Sequence, residues 1–203
     1  MKNGIIVLII GLMITSVGCS KDEVEEIEIA VPTLTALEKS DLIFLREEEK
    51  LARDVYLFSL DKYEEQIFQN ISNSEQKHMD QLLDLLNFYN IEDPANEEVG
   101  VFTNVELQVL YDELTMISDS SLVHAFSVGA LIEDLDIKDI VLFEANTEKA
   151  DILEAYEMLV CGSKNHIQGY TNKLNANGVT YIPQFISQED YDAILSGGHL
   201  SCN

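Results

Sequence analysis

Ser74-Glu75-Gln76-Lys77-His78-Met79 carries a Glu-x-x-His spacing inside an apolar helical repeat. Residues i and i+3 of an α-helix share a face, so the Glu75 carboxylate and the His78 imidazole converge on one point. Both fall on a stripe that continues through Leu82, Leu85 or Leu86, and Tyr89, which turns them towards a core. A helix starting at Ser72 or Ser74 and running to about Tyr89 accounts for the pattern. Upstream, Leu45-Arg46-Glu47-Glu48-Glu49-Lys50-Leu51-Ala52-Arg53-Asp54-Val55-Tyr56 lies in a helix predicted over residues 40–60 and capped by Ser40 or Asp41. Glu48 shares the stripe of Leu45, Ala52 and Val55, and Glu49 competes with it for the inward position. Residues 61–70 are less regular and read as the turn of a hairpin that brings Glu48 or Glu49 near Glu75. In the plainer reading, Glu47 to Glu49 are solvated acids that complement the helix dipole.

The second half repeats part of this plan. Residues 90–104, with Pro94 and Gly100, form a long connection, and a short amphipathic helix follows over 105–117. Two longer helices are predicted over 120–143 and 147–175, with Gly178 as a stop. Glu133 continues the stripe of Leu122, Phe126, Gly129 and Ala130, and the two small residues allow close helix approach. His166 continues the stripe of Ala155, Leu159, Gly162 and Ser163. Glu48 and His78 are 30 residues apart and Glu133 and His166 are 33 apart, as expected of two related hairpins. Where a second Glu-x-x-His would place its Glu, the chain has Ser163, a poor metal ligand; Asp136, one turn after Glu133, is positioned to compensate. His124 and His199 match no such pattern and read as surface residues. The tail, residues 179–203, carries Tyr181, Phe185, Ile186, Tyr191 and Ile194, an apolar strip expected to pack back on the helices.

Hairpin, long crossover, hairpin is an all-α order and the ferritin-like arrangement of four helices. Carboxylate-bridged metal centres in such folds take Glu and His from facing helices, since carboxylates neutralise the ions and imidazole suits iron or manganese. The candidate ligands are Glu48 (or Glu49), Glu75, His78, Glu133, Asp136 and His166, holding one or two ions. The alternative is a buried polar network of the same residues without metal, in a non-enzymatic scaffold or binding module.

Charge narrows the partners. Lys plus Arg number 12 against 37 Asp plus Glu, a net −25, and such a surface repels phosphate backbones and excludes nucleic acid. Lys2, the apolar run of residues 5–13 and Ser16-Val17-Gly18-Cys19 have the order of a secretory signal with a lipobox, although Ser16 stands where Leu is usual. Cleavage before Cys19 removes Lys2 and leaves −26 on a chain held to the membrane by a lipidated thiol. Residues 1–18 are then signal peptide, 19–36 an acidic tether, 37–178 the four-helix domain and 179–203 the docked tail. The expected location is the bacterial cell envelope, with the outer membrane as anchor; a homodimer is compatible with this plan. Cys161 and Cys202 remain after cleavage and read as free thiols, and no rubredoxin-type Cys pairs are present.

The block Leu45 to Tyr56 resembles the DUF2202 family, as do Phe68-Gln69-Asn70-Ile71-Ser72-Asn73-Ser74-Glu75-Gln76-Lys77-His78-Met79-Asp80, Val128-Gly129-Ala130-Leu131-Ile132-Glu133-Asp134-Leu135-Asp136-Ile137-Lys138-Asp139 and Gly162-Ser163-Lys164-Asn165-His166. The resemblance spans roughly residues 40–195 and implies membership of the ferritin-like superfamily, with Ser163 part of the family pattern. It implies no activity, because fold does not set function. The expectation drawn from the ligand set is redox chemistry on O₂ or peroxide.

Overall fold

The computed structural model describes residues 33–202, so the expected signal segment, Cys19 and the expected tether up to residue 32 lie outside the described residues. Six helices and no strand occur among the described residues, an all-α architecture: α1 (Ala36–Tyr63), α2 (Gln66–Phe88), α3 (Val105–Ser120), α4 (Leu122–Glu144), α5 (Ala150–Ala176) and α6 (Gln188–Gly197).

Thr35 starts α1 with a reciprocal capping box. Its hydroxyl accepts from the Glu38 N–H at 3.1 Å, and the Glu38 carboxylate accepts from the Thr35 N–H at 2.7 Å. The helix therefore begins more than a turn before the expected Ser40 or Asp41 cap, and Asp41 is buried, accepting from the Asn146 amide at 2.8 Å. The expected turn over 61–70 contracts to two residues. Glu64 adopts a left-handed φ of 54°, Glu65 is extended, and α2 starts at Gln66. Burial drives this difference: Phe68 and Ile71 face the core, and Phe68 stacks on Phe126 at 5.5 Å. Around them, Gln66, Gln69, Asn70 and Asn73 mask the stripe in the sequence.

α1 packs on α2, α3 and α4, and α5 on α4, α2 and α6. The four long helices thus surround a common interior in the order α1, α2, α5, α4. Two apolar clusters fill it. One gathers Val55, Tyr56, Phe68, Phe126 and Tyr170; the other gathers Leu42, Leu45, Leu82, Leu86, Ile140 and Tyr156. Between these clusters, at mid-height, all four helices present polar side chains.

The charged run of α1 is not solvated. Glu47, Glu48, Glu49 and Lys50 are all buried. Several of these charges clamp the connection between α2 and α3. Arg46 pairs with Asp93 through two hydrogen bonds of 3.0 and 2.7 Å. Glu47 accepts from the N–H groups of Thr103 and Asn104 at 2.6 and 2.9 Å. Lys50 donates to Asp54 at 2.5 Å and to the Glu98 carbonyl at 2.9 Å, and Asp54 accepts from the Gly100 N–H.

Buried Asp134 ties down the tail in the same way, accepting from the Tyr181 hydroxyl at 2.8 Å and from the N–H groups of Gln184, Phe185 and Ile186. Cys161 and Cys202, expected as free thiols, instead form a disulfide with Cα atoms 5.7 Å apart. The segment after α6 folds back along α5, where Asn165 both donates to the Leu200 carbonyl and accepts from its N–H. Nothing local in the sequence marks that return. Closing a loop of 41 residues stabilises the fold by about 4 kcal/mol on chain-entropy grounds.

Candidate metal centre

Glu49 from α1, Glu75 and His78 from α2, Glu133 from α4 and His166 from α5 meet between the two apolar clusters. They form two groups able to hold an ion, Glu49–Glu75–His78 and Glu75–Glu133–His166, with the ligand atoms of each group within 4.8 Å of one another. Glu75 belongs to both. Its Oε2 lies 2.7 Å from His78 Nδ1 and its Oε1 2.9 Å from His166 Nδ1. Glu49 Oε2 completes one group at 3.1 Å from His78 Nδ1, and Glu133 Oε2 the other at 3.3 Å from His166 Nδ1.

These contacts are close, yet most lack hydrogen-bond alignment. Both Glu75 oxygens, Glu133 Oε2 and His166 Nδ1 are buried without a hydrogen-bond partner. Two ligand atoms each about 2.1 Å from one ion and at right angles to each other stand about 3.0 Å apart. The separations match both close ion pairs and ligands around an ion, and the donor set of carboxylate oxygens and imidazole nitrogens is one that could hold a metal ion.

The other expected ligands stand beside this cluster. Glu48 and Asp136 are buried, and none of their four carboxylate oxygens has a hydrogen-bond partner. Both line a small cavity of about 40 Å³ bounded by Leu110, Leu114 and Phe185. Neither Glu48 nor Asp136 belongs to either three-residue group. Ser163 is buried, and its hydroxyl donates to the Leu159 carbonyl of its own helix at 3.2 Å. His124 is exposed, whereas His199, also exposed, lines the groove onto which His78 and His166 open.

Burial and mutual charge pull the acids and imidazoles of this cluster in opposite directions. Burial pushes the Glu49 carboxyl up to about 7, against the pull of His78. Burial also acts on Glu75, but His166 and His78 outweigh it and hold that carboxyl below its usual range. Burial disfavours the charged form of His166, yet Glu75 and Glu133 raise it to about 10; Glu49 and Glu75 likewise raise His78 well above its ordinary value. Asp136 is pushed well up by burial and then by Glu48 and Glu49.

Two residues with no metal-ligand signal complete the surroundings. The Tyr56 hydroxyl donates to Glu133 Oε1 at 2.6 Å and fixes that carboxylate from behind. Tyr170 packs on Tyr56 at 5.4 Å between ring centres. Two glycines make room for rings: a Cβ on Gly129 would lie 2.5 Å from the Tyr170 ring, and one on Gly162 would lie 2.6 Å from Cε1 and Nε2 of His78. Gly162→Ala therefore drives the His78 imidazole out of its contacts with Glu49 and Glu75. The expected result is helicity unchanged by circular dichroism and metal affinity, read by titration calorimetry, weakened by about tenfold or more. Unchanged affinity would show that the His78 position is not needed for binding.

The fold and this cluster define an all-helical protein with a buried Glu/His centre suited to a metal ion. The chain belongs to the DUF2202 family, described as an uncharacterized protein domain, which matches residues 38–198. It is 49% identical over 160 residues to the uncharacterized protein MJ0754 of Methanocaldococcus jannaschii, a match covering 78% of this chain and 86% of that protein. It is also similar to the crystal structure of the hypothetical protein MJ0754 from Methanococcus jannaschii, with a TM-score of 0.83 at 46% identity, covering 85% of this chain and 99% of the other.

Proposed function

We propose that this protein is a ferritin-like, carboxylate-bridged dinuclear iron or manganese protein of the bacterial cell envelope, an oxidoreductase acting on O₂ or peroxide. The observation that carries this reading is Glu75, whose two oxygens are divided between His78 and His166 at 2.7 and 2.9 Å without hydrogen-bond partners. Glu75 would bridge, with Glu49 and His78 completing one position and Glu133 and His166 the other. Asp136 would supply the carboxylate that Ser163 does not, and Glu48 would stand behind it as a further acid. Bound there, iron or manganese would supply one-electron chemistry and open coordination positions for a small oxidant.

The chain's own residues orient and shield. Tyr56 fixes the Glu133 carboxylate. The two apolar clusters keep water from the carboxylates, which are at most 1% exposed, while the histidine side chains at 10% face the groove. In this reading Cys19 carries the lipid that anchors the protein to the outer membrane, with the tether spacing the domain from it.

Two hydrogen bonds favour the rival metal-free scaffold, Tyr56 to Glu133 and His78 to Glu49 at 3.1 Å. Such a network is stable only when each member is paired, and the orphaned oxygens of Glu48, Glu75, Glu133 and Asp136 argue against it.

Anaerobic reconstitution of the chain beginning at Ser20, followed by elemental analysis, is expected to give about two equivalents of metal. Less than about a tenth of an equivalent would favour the scaffold. Binding is expected to strengthen as pH rises from 6 to 8, read by competition with a chromogenic chelator. The sign follows from displaced protons. Glu49, at about 7, and the histidines, raised above their ordinary value, must lose protons to bind, and each loss is easier at higher pH. Affinity independent of pH would rule these groups out as ligands.

A further inference from the structure

We infer that the small cavity bounded by α1, α3 and α4 is a pocket for dioxygen, set against the carboxylate side of the metal centre. The pocket stands on packing alone; its bearing on the chemistry rests on the reading above.

The candidate centre has two unlike sides. α2 and α5 supply the groove in front of His78 and His166, with Lys77, Asp80, Asp84 and Asn165 in its walls. Behind the carboxylates α3 packs on both α1 and α4, and there the surroundings turn apolar. The cavity of about 40 Å³ on that side is lined by Leu51 of α1, Leu114 of α3, Ile132 of α4 and Phe185 of the tail, besides Glu48 and Asp136. Its exposed wall is apolar throughout. The four carboxylate oxygens of Glu48 and Asp136 are themselves shut off from a water-sized molecule, so a guest in the cavity meets their methylene carbons. Asp136 feels the charges of Glu49, Glu133 and Glu75, which places it between the cavity and the two ligand groups.

Volume and polarity select the guest. The space exceeds the roughly 10–15 Å³ that one water needs, but a buried water also needs about two to four polar partners and finds none here. Hydrogen peroxide meets the same obstacle, because its O–H groups would be buried unpaired. A diatomic gas without hydrogen-bonding groups loses nothing on entering, and apolar cavities stay dry and take up such guests. Among small apolar molecules, dioxygen is the one that the proposed chemistry consumes. The outer wall is thin: Leu110, Leu131 and Leu135 are half-buried and Phe185 is 44% exposed, so a gas enters by side-chain rotation without unfolding. Polar molecules reach the imidazoles through the groove, and dioxygen reaches the carboxylates from the α3 side.

The test uses the full chain, metal-free, under dioxygen pressure, with methyl-proton relaxation read by NMR. Dissolved dioxygen is paramagnetic and speeds the relaxation of protons it touches. Leu51, Leu114 and Ile132 line the cavity at 1%, 3% and 2% exposure. Leu42, Leu82 and Leu86 are as deeply buried in the other apolar cluster and serve as the reference. The dioxygen effect is expected to be about threefold or more larger at the cavity residues. Leu131→Phe and, from α3, Leu110→Phe fill the space from half-buried positions, where overpacking is readily relieved. Each is expected to erase the excess with helicity unchanged. Equal effects at the two sets of residues overturn the proposal, and so does an excess that survives both fillings. The excess in a chain that takes up no metal keeps the pocket and sinks the metal reading. Full metal uptake without the excess keeps the centre and overturns the pocket.

Discussion

Glu75→Gln is expected to abolish metal binding at both positions at once. Glu75 is the residue shared by the two ligand groups, one oxygen towards each histidine. An amide keeps the volume but removes the charge and turns an N–H₂ donor towards one imidazole nitrogen, where a cation needs an acceptor. Metal content by elemental analysis should fall from about two equivalents to below about a tenth, with helicity unchanged. Glu133→Gln provides the contrast. Glu133 belongs to one group alone, so that variant should keep about one equivalent, held by Glu49, Glu75 and His78. If Glu75→Gln also kept one equivalent, Glu75 would be a terminal ligand and the bridged arrangement would be wrong.

Asp136→Asn is expected to do opposite things to stability and to binding. Asp136 is 2% exposed and both its oxygens lack hydrogen-bond partners. A buried carboxylate in that state is costly, so the amide should stabilise the metal-free protein by about 1–3 kcal/mol. The sign with pH is fixed by its raised pKa. A group that is harder to ionise in the folded state costs nothing while it is protonated in both states; the cost grows as pH rises above the unfolded value of about 3.9 towards the folded one. The gain from Asn should therefore be larger at pH 8 than at pH 5, as measured by urea denaturation of the metal-free chains. Metal affinity should fall in the same variant. Destabilisation by Asn would place Asp136 inside a satisfied polar network and support the scaffold reading.

Such a division between stability and binding explains how the site could be read from the sequence at all. Acids and histidines on apolar stripes conflict with burial, and the conflict singles out Glu75, His78, Glu133 and His166 as candidate site residues, which the fold brings together. The stretch from Arg46 to Asp54 was harder, because its charges have two destinations. Arg46, Glu47, Lys50 and Asp54 hold the connection between α2 and α3, while Glu49 faces His78. With residues 45–52 of α1 all buried, no polar face remains to orient the helix, and a pattern argument cannot separate Glu48 from its neighbour.

By itself the sequence determined the helical class, the two hairpins joined by a long connection, and the helices that carry each acid and histidine. Those follow from period and spacing, which are local properties of the chain. Tertiary structure alone decided that Glu49 meets His78 while Glu48 turns towards α4, that Tyr56 backs Glu133, and that Cys202 returns to Cys161. Each of these depends on rotation or return of one element against another. That is set by close packing such as the His78 ring against Gly162, and packing of remote residues leaves no period in the chain.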